Sequence, residues 1–138
     1  MIAVTFDTSF YIGALNSRGA GSRLLSMAET GEIRVDISEQ IVTEILRVLR
    51  EKFGWDGYRI NQLRQTLSRI ANHVAPKETL DVIKEDPPDN RILECAVEAG
   101  SDCIVTWDKD LLRLGRYRGV RIVTVPEFLH MVKSARES

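Results

Sequence analysis

The stretch PDNRILECAVEAGSDCIVTWD, residues 88–108, holds a helix, a turn and a buried strand in direct succession. Proline is tolerated in a first helical turn, and negative charge is favoured at a helix N-terminus, so Pro88 and Asp89 open a helix. Asp86 is read as its cap, with Pro87 at the first helical position. The helix runs to about Ala99, and Gly100 ends it. Residues 103–106 form a short apolar run, which is strand length, and Asp108 to Leu112 begin another short helix.

The same alternation extends in both directions. Toward the N-terminus, residues 2–6 read as a short buried strand, and Asp7-Thr8 cap a helical segment from Ser9 to Leu15. Residues 16–22 carry turn residues and are expected to be a loop. A helix follows from about Ser22 to Glu29, with Gly31 as its stop. Ile33, Val35 and Ile37 alternate with polar residues, as in a half-buried strand. Ser38 is a plausible N-cap for a helix striped by Ile41, Ile45, Val48 and Leu49. Residues 53–57 break that pattern, and another helix runs from about Tyr58 to Ala71. His73 to Ala75 are expected to be a short strand, whereas residues 78–85 have only weak alternation. Toward the C-terminus, Val120 to Val125 form a strand and Pro126 opens a last helix to about Val132.

Strand and helix alternate throughout, which is the signature of an α/β fold with a mostly parallel sheet covered by helices on both faces. The 138 residues argue for a single domain, 1–138, long enough to bury about 68% of its unfolded surface. Hydrophobic residues make up 43%, charged residues 28%, and the net charge is -1, so bulk charge points to neither nucleic acid nor membrane. Of the 19 basic residues only Lys52, Lys77, Lys84, Lys109 and Lys133 are lysines. Arginine suits bidentate contact with phosphate or carboxylate. Cys95 and Cys103 have no metal-ligand spacing and read as buried, reduced thiols, consistent with a cytoplasmic protein. No signal peptide or membrane span is expected.

Four acids recur at element boundaries. Asp7 ends the first strand, Glu44 flanks an apolar helix stripe, Asp89 opens a helix, and Asp108 follows a strand. In an α/β sheet, strand ends and helix starts converge on one edge. Carboxylates gathered there repel by roughly 4 kcal/mol per pair at ~4 Å and an effective dielectric of ~20. A divalent cation is the usual compensation, and hard carboxylate oxygens suit Mg²⁺ or Mn²⁺. Each acid also has a purely structural explanation: Asp7 and Asp108 as helix caps, Asp89 as a helix-start charge, Glu44 as a partner of Arg47. The joint pattern carries the weight.

On these residues the sequence resembles the PIN-domain nucleases. Val4-Thr5-Phe6-Asp7-Thr8-Ser9 is similar to their opening motif, and Ser38 to Leu49, holding Glu44, to their second. Residues 86–96 are similar to the third motif and residues 104–112 to the fourth. The resemblance spans Ile2 to about Leu129. Ser9 stands where members often have Asn, and Trp107 where they often have a small residue. The resemblance implies a three-layer α/β/α sandwich and a metal held by Asp7, Glu44, Asp89 and Asp108. It also implies hydrolysis of RNA phosphodiesters. Many relatives are toxins of toxin–antitoxin pairs, so a small antitoxin partner and a homodimer are expected.

Thr8, Ser9 and Thr106 are then candidates for orienting waters or a phosphate. Arg113, Arg116, Arg118 and Arg121, with Tyr117 among them, are candidates for contact with RNA or an acidic partner. Trp107 either stacks a base or packs, and His73 and His130 read as structural. Two other readings compete. A degenerate, noncatalytic PIN-like binding module would be expected to lack one of the acids, and none is missing. A response-regulator-type phosphoacceptor would want paired acids after the first strand and a lysine after the last; Asp7 is single, and Thr124-Val125-Pro126 offers no lysine.

Overall fold

The computed structural model describes residues 1–16 and 20–137, so Ser17 to Gly19 of the expected loop lie outside the described residues. The elements run β1 (Ile2–Phe6), α1 (Thr8–Leu15), α2 (Ala20–Glu29), β2 (Ile33–Ser38), α3 (Glu39–Phe53), α4 (Gly57–Ile70) and β3 (Ala71–Val74). They continue as α5 (Asp89–Ala99), β4 (Cys103–Val105), α6 (Lys109–Leu114), β5 (Arg116–Tyr117), β6 (Val120–Val123) and α7 (Val125–Glu137). The sheet order is β3-β2-β1-β4-β6-β5, with every pairing parallel except β5 with β6. Helices cover both faces, giving a three-layer α/β/α sandwich.

Apolar side chains on alternate positions of β1 build the core. Phe6 stacks on Phe10 of α1 with ring centroids 4.0 Å apart and meets Tyr11 and Phe128 edge-on. Thr5, on the other face, hydrogen-bonds Ser101 at 2.8 Å, beyond the end of α5.

The expected half-buried β2 is instead buried on both faces: Asp36 and Ser38 are each 0% exposed. Burial is tolerated because the Asp36 carboxylate is fully engaged. Arg34 donates to it at 2.8 and 3.2 Å, Asn72 at 2.9 Å and Ser101 at 2.6 Å. Ser38 caps α3, accepting from Ile41 N.

Residues 78–85 form no strand. Their backbone is satisfied by side chains of α5: Asn90 Oδ1 accepts from Val82 N and Ile83 N, both at 2.9 Å, and Glu94 accepts from Leu80 N at 2.7 Å. This stitching carries the chain to Asp86. Asp86 is not the cap of α5; the cap position is Pro88, without a side-chain bond, and a backbone turn from Asp89 N to Asp86 O leads in.

β5 is a strand without a sequence signal. It is two residues long and joins β6 through Arg118 and Gly119, whose φ values are +46° and +83°. Two positive φ values match a type I′ hairpin turn. The last helix extends past the expected Val132 to Glu137.

The chain leaves β1 toward β2 on one side and returns to β4 on the other. The order of strand addition therefore reverses between the parallel neighbours β1 and β4, which is where open α/β sheets form a crevice beyond their strand ends. Asp7 follows β1 and Asp108 follows β4, so both meet that crevice.

Candidate metal centre

Asp7 caps α1. Its Oδ1 accepts from Phe10 N at 2.7 Å, its Oδ2 accepts from the Thr106 hydroxyl, and its own N donates to Val105 O at 3.3 Å. Asp108 caps α6, its Oδ1 accepting from Asp110 N at 2.8 Å and Leu111 N at 3.1 Å. The Thr106 hydroxyl also accepts from Asp108 N at 2.9 Å. One buried hydroxyl therefore donates to the first acid and anchors the backbone of the second. Thr106 lies 0% exposed beneath the crevice, a positioning residue rather than a lining one.

Asp89 starts α5 and is 8% exposed. Its Oδ2 is buried without a hydrogen-bond partner. Asp86, Asp89, Asp108 and Asp110 form a compact group, with one carboxylate oxygen from each lying within 4.8 Å of the others. Asp7 and Glu44 are outside that tight group but line the same cavity, of about 450 Å³, together with Asp86, Asp89, Asp108, Thr8 and Ser9. Its remaining wall is Ile12, Val48, Lys52, Phe53, Pro88 and Ile92.

The crowding is legible in the acids' proton affinities. Burial pushes Asp89 up to about 8, aided by a hydrogen bond to Asp108 and by the charges of Asp108, Asp86 and Asp7. Burial also raises Asp7 above the ordinary carboxylate range, against the hydrogen bonds from Thr106 and Phe10, with the Asp108 charge adding to the rise. Asp86 is raised by burial and by Asp108 and Asp110. Glu44 is lowered instead, chiefly by its hydrogen bonds from Arg47, at 2.6 and 3.1 Å. It thus both lines the cavity and holds an ion pair.

An all-carboxylate donor set with an unpartnered buried oxygen fits a hard divalent cation such as Mg²⁺ or Mn²⁺. Asp86 and Asp110 complete the tight group, and the sequence reading left them out of the site. Their signal was present: each lies two or three residues from one of the four acids, Asp86 across the Pro87-Pro88 turn and Asp110 in the first turn of α6.

Three of the four candidate arginines sit elsewhere. Arg116, Arg118 and Arg121 line a separate cavity of about 690 Å³ with Ile2 and Asp102, near the starts of β1 and β6. Arg118 pairs with Glu78 at 2.8 Å, and Arg113 with Asp110 at 3.3 Å. Among the described residues, the cation on the wall of the acidic cavity is Lys52. His73 Nε2 donates to Leu67 O at 3.0 Å, a structural contact. Among the described residues no helix is long and apolar enough to cross a membrane.

A family model for the PIN domain matches residues 3–110. Among solved structures, that of VapBC2 from Rickettsia felis bound to a DNA fragment from their promoter superposes with a TM-score of 0.59. The match covers 89% of this chain and 98% of that chain at 12% identity, a likeness of fold alone. No curated protein matches the chain.

Proposed function

The chain belongs to the PIN-domain family, and on that footing we propose that it is a divalent-metal-dependent endoribonuclease, the toxin of a toxin–antitoxin pair. The observation that carries this reading is the carboxylate group at the β1/β4 crevice, with Asp7 and Asp108 tied through Thr106 and Asp89 Oδ2 left without a partner. Asp7, Asp89 and Asp108 would hold Mg²⁺ or Mn²⁺, with Asp86 and Asp110 beside them and Glu44 reaching its waters. When bound, such a cation supplies polarisation of a phosphoryl oxygen and a lowered pKa for water. The chain's own residues then have distinct tasks. Backbone amides and the Thr106 hydroxyl keep the acids aimed inward against their repulsion. Burial holds the Asp89 carboxyl toward its protonated form, so a bound cation would take the place of that proton. Thr8 and Ser9 present hydroxyls to a phosphate at the rim, and Lys52 offset its charge. The likeness to VapBC2 supports a small antitoxin partner. A single domain over residues 1–138, a homodimer and a cytoplasmic setting complete the proposal.

The test is cleavage of an unstructured RNA with Mg²⁺ or Mn²⁺ and with EDTA. Wild type is expected to cleave only with metal, and Asp7→Asn and Asp108→Asn to lose cleavage while remaining folded. Activity that persists in both variants would assign the chemistry to another site.

A further inference from the structure

Large apolar side chains left in water are few among the described residues: Met1, Phe53, Tyr58 and Trp107. Two of these flank the acidic cavity. Phe53, 51% exposed, belongs to its wall. Trp107, 57% exposed, immediately precedes Asp108 and lines a second, smaller cleft of about 220 Å³. The floor of that cleft is apolar, made by Phe10, Ala14 and Val125. Ser9 lines both the cleft and the acidic cavity, so the two spaces adjoin at one side chain.

Trp107 does no core work to explain its size. Its neighbours in sequence are fixed: Thr106 and Asp108 are locked by the hydrogen bond between them, which sets the backbone that carries the indole. A half-exposed indole over an apolar cleft, carried on an anchored backbone next to a site for a phosphate, matches the needs of a planar aromatic ligand attached to that phosphate. An unpaired nucleobase has that shape, and every base offers a π-face.

We propose that the Trp107 cleft is a nucleobase subsite, which holds the base adjoining the phosphodiester bound at the carboxylates. This rests on the nuclease reading and adds a positioning residue to it. A base seated against Trp107 fixes the backbone beside the acids, and Phe53 offers a further apolar shelf on the wall of the acidic cavity. A duplex cannot use the cleft without unstacking the base, so occupancy selects unpaired RNA.

The experiment has two readouts. The first is kcat/KM on a short unstructured RNA, intact or carrying one abasic nucleotide on either side of the mapped cleavage position. Trp107→Ala is expected to lower kcat/KM about tenfold and Trp107→Phe much less, as for loss of one stacked base. In wild type the abasic nucleotide on the Trp107 side costs a similar factor; in Trp107→Ala it costs nothing further. A residue that merely supported the fold would leave the abasic penalty intact, and that result overturns the subsite.

The second readout is Trp107 emission in Trp55→Phe protein, where it is the sole tryptophan. Added RNA is expected to quench it with EDTA-treated Asp108→Asn protein as well as with wild type. Unchanged emission overturns the subsite. Quenching without any metal-dependent cleavage would instead sink the nuclease reading and leave the subsite standing.

Discussion

Asp89→Asn tests whether the acid group is a strained, cation-seeking device. The folded chain holds this carboxyl at about 8, against an ordinary value of 3.8. An acid raised in the folded state makes that state bind more protons than the unfolded chain. Stability is therefore unaffected below about pH 4, falls as pH climbs from 4 to 8, and stays low above. At 1.36 kcal/mol per pH unit, the full difference corresponds to at most about 6 kcal/mol. Asp89 is 8% exposed as a residue, but its carboxyl group opens on the cavity, and water there screens it. A discounted penalty of about 2 kcal/mol is the working figure.

Asn has the shape of the protonated acid and can donate to Asp108 as that acid does. With EDTA present, Asp89→Asn is expected to melt above wild type at pH 8, by roughly 6–8 °C for ~2 kcal/mol in a domain of this size. At pH 4 the gap shrinks to roughly 0.5 kcal/mol or less, because the unfolded chain then also holds much of that proton. Asp7 and Asp86 are raised in the same direction and contribute equally to both proteins, so the difference isolates Asp89. Adding Mn²⁺ reverses the order, because wild type keeps the ligand that the variant has lost. Thermal melts at the two pH values, with EDTA and with Mn²⁺, measure all four quantities. A gap that stays constant with pH, or a variant less stable than wild type at pH 8 in EDTA, refutes the reasoning.

Two further outcomes follow from the same hydrogen-bond networks. Thr106→Val removes the donor to Asp7 and the acceptor for Asp108 N, and is expected to cost about 1–3 kcal/mol in urea denaturation. Thr106→Ser keeps both bonds and should recover most of that loss together with the activity; a Val variant as stable and active as wild type would remove Thr106 from the site. Arg34→Met strips two donors from the fully buried Asp36 and is expected to destabilise by about 3–5 kcal/mol. Adding Asp36→Asn should restore part of it, and additive losses in the double variant would show that the two side chains do not act as a pair.

Much of this arrangement is legible in the order of residues. The apolar runs at residues 2–6 and 103–106 each end just short of an acid, and alternation of strand with helix forces those ends to one edge of a parallel sheet. Asp7, Asp89 and Asp108 could be chosen on that ground alone. The errors have a common cause, which is partnership at long range. Asp36 read as solvent-facing because Asn72 and Ser101, which satisfy it, lie 36 and 65 residues away in sequence. Residues 78–85 look like a poor strand because their hydrogen bonds go to Asn90 and Glu94 rather than to a ladder. β5 left no trace in periodicity, since a two-residue strand has none, and its turn uses Arg118 where Asn or Gly is usual.

Arg113 stays beside the acids through Asp110, whereas nearness in sequence to Asp108 does not keep Arg116, Arg118 and Arg121 near it in space. α6 intervenes, and the following hairpin ends beside the starts of β1 and β6 rather than at the crevice.

What holds the site together is the set of donors around the carboxylates more than the carboxylates themselves. Phe10 N, Asp110 N, Leu111 N and the Thr106 hydroxyl all point at Asp7 or Asp108, and each is fixed by a helix start or by the end of a strand. Their bonds offset part of the repulsion and leave the rest unrelieved. Asp89 cannot retreat either, because its backbone N–H is tied into the Asp86 turn and its helix is stitched to residues 80–83. With the acids unable to separate, only a gain of positive charge lowers the energy: a proton on Asp89 or a cation among the group. Proton and metal therefore compete for one place, and metal affinity should rise with pH over the range in which Asp89 loses its proton.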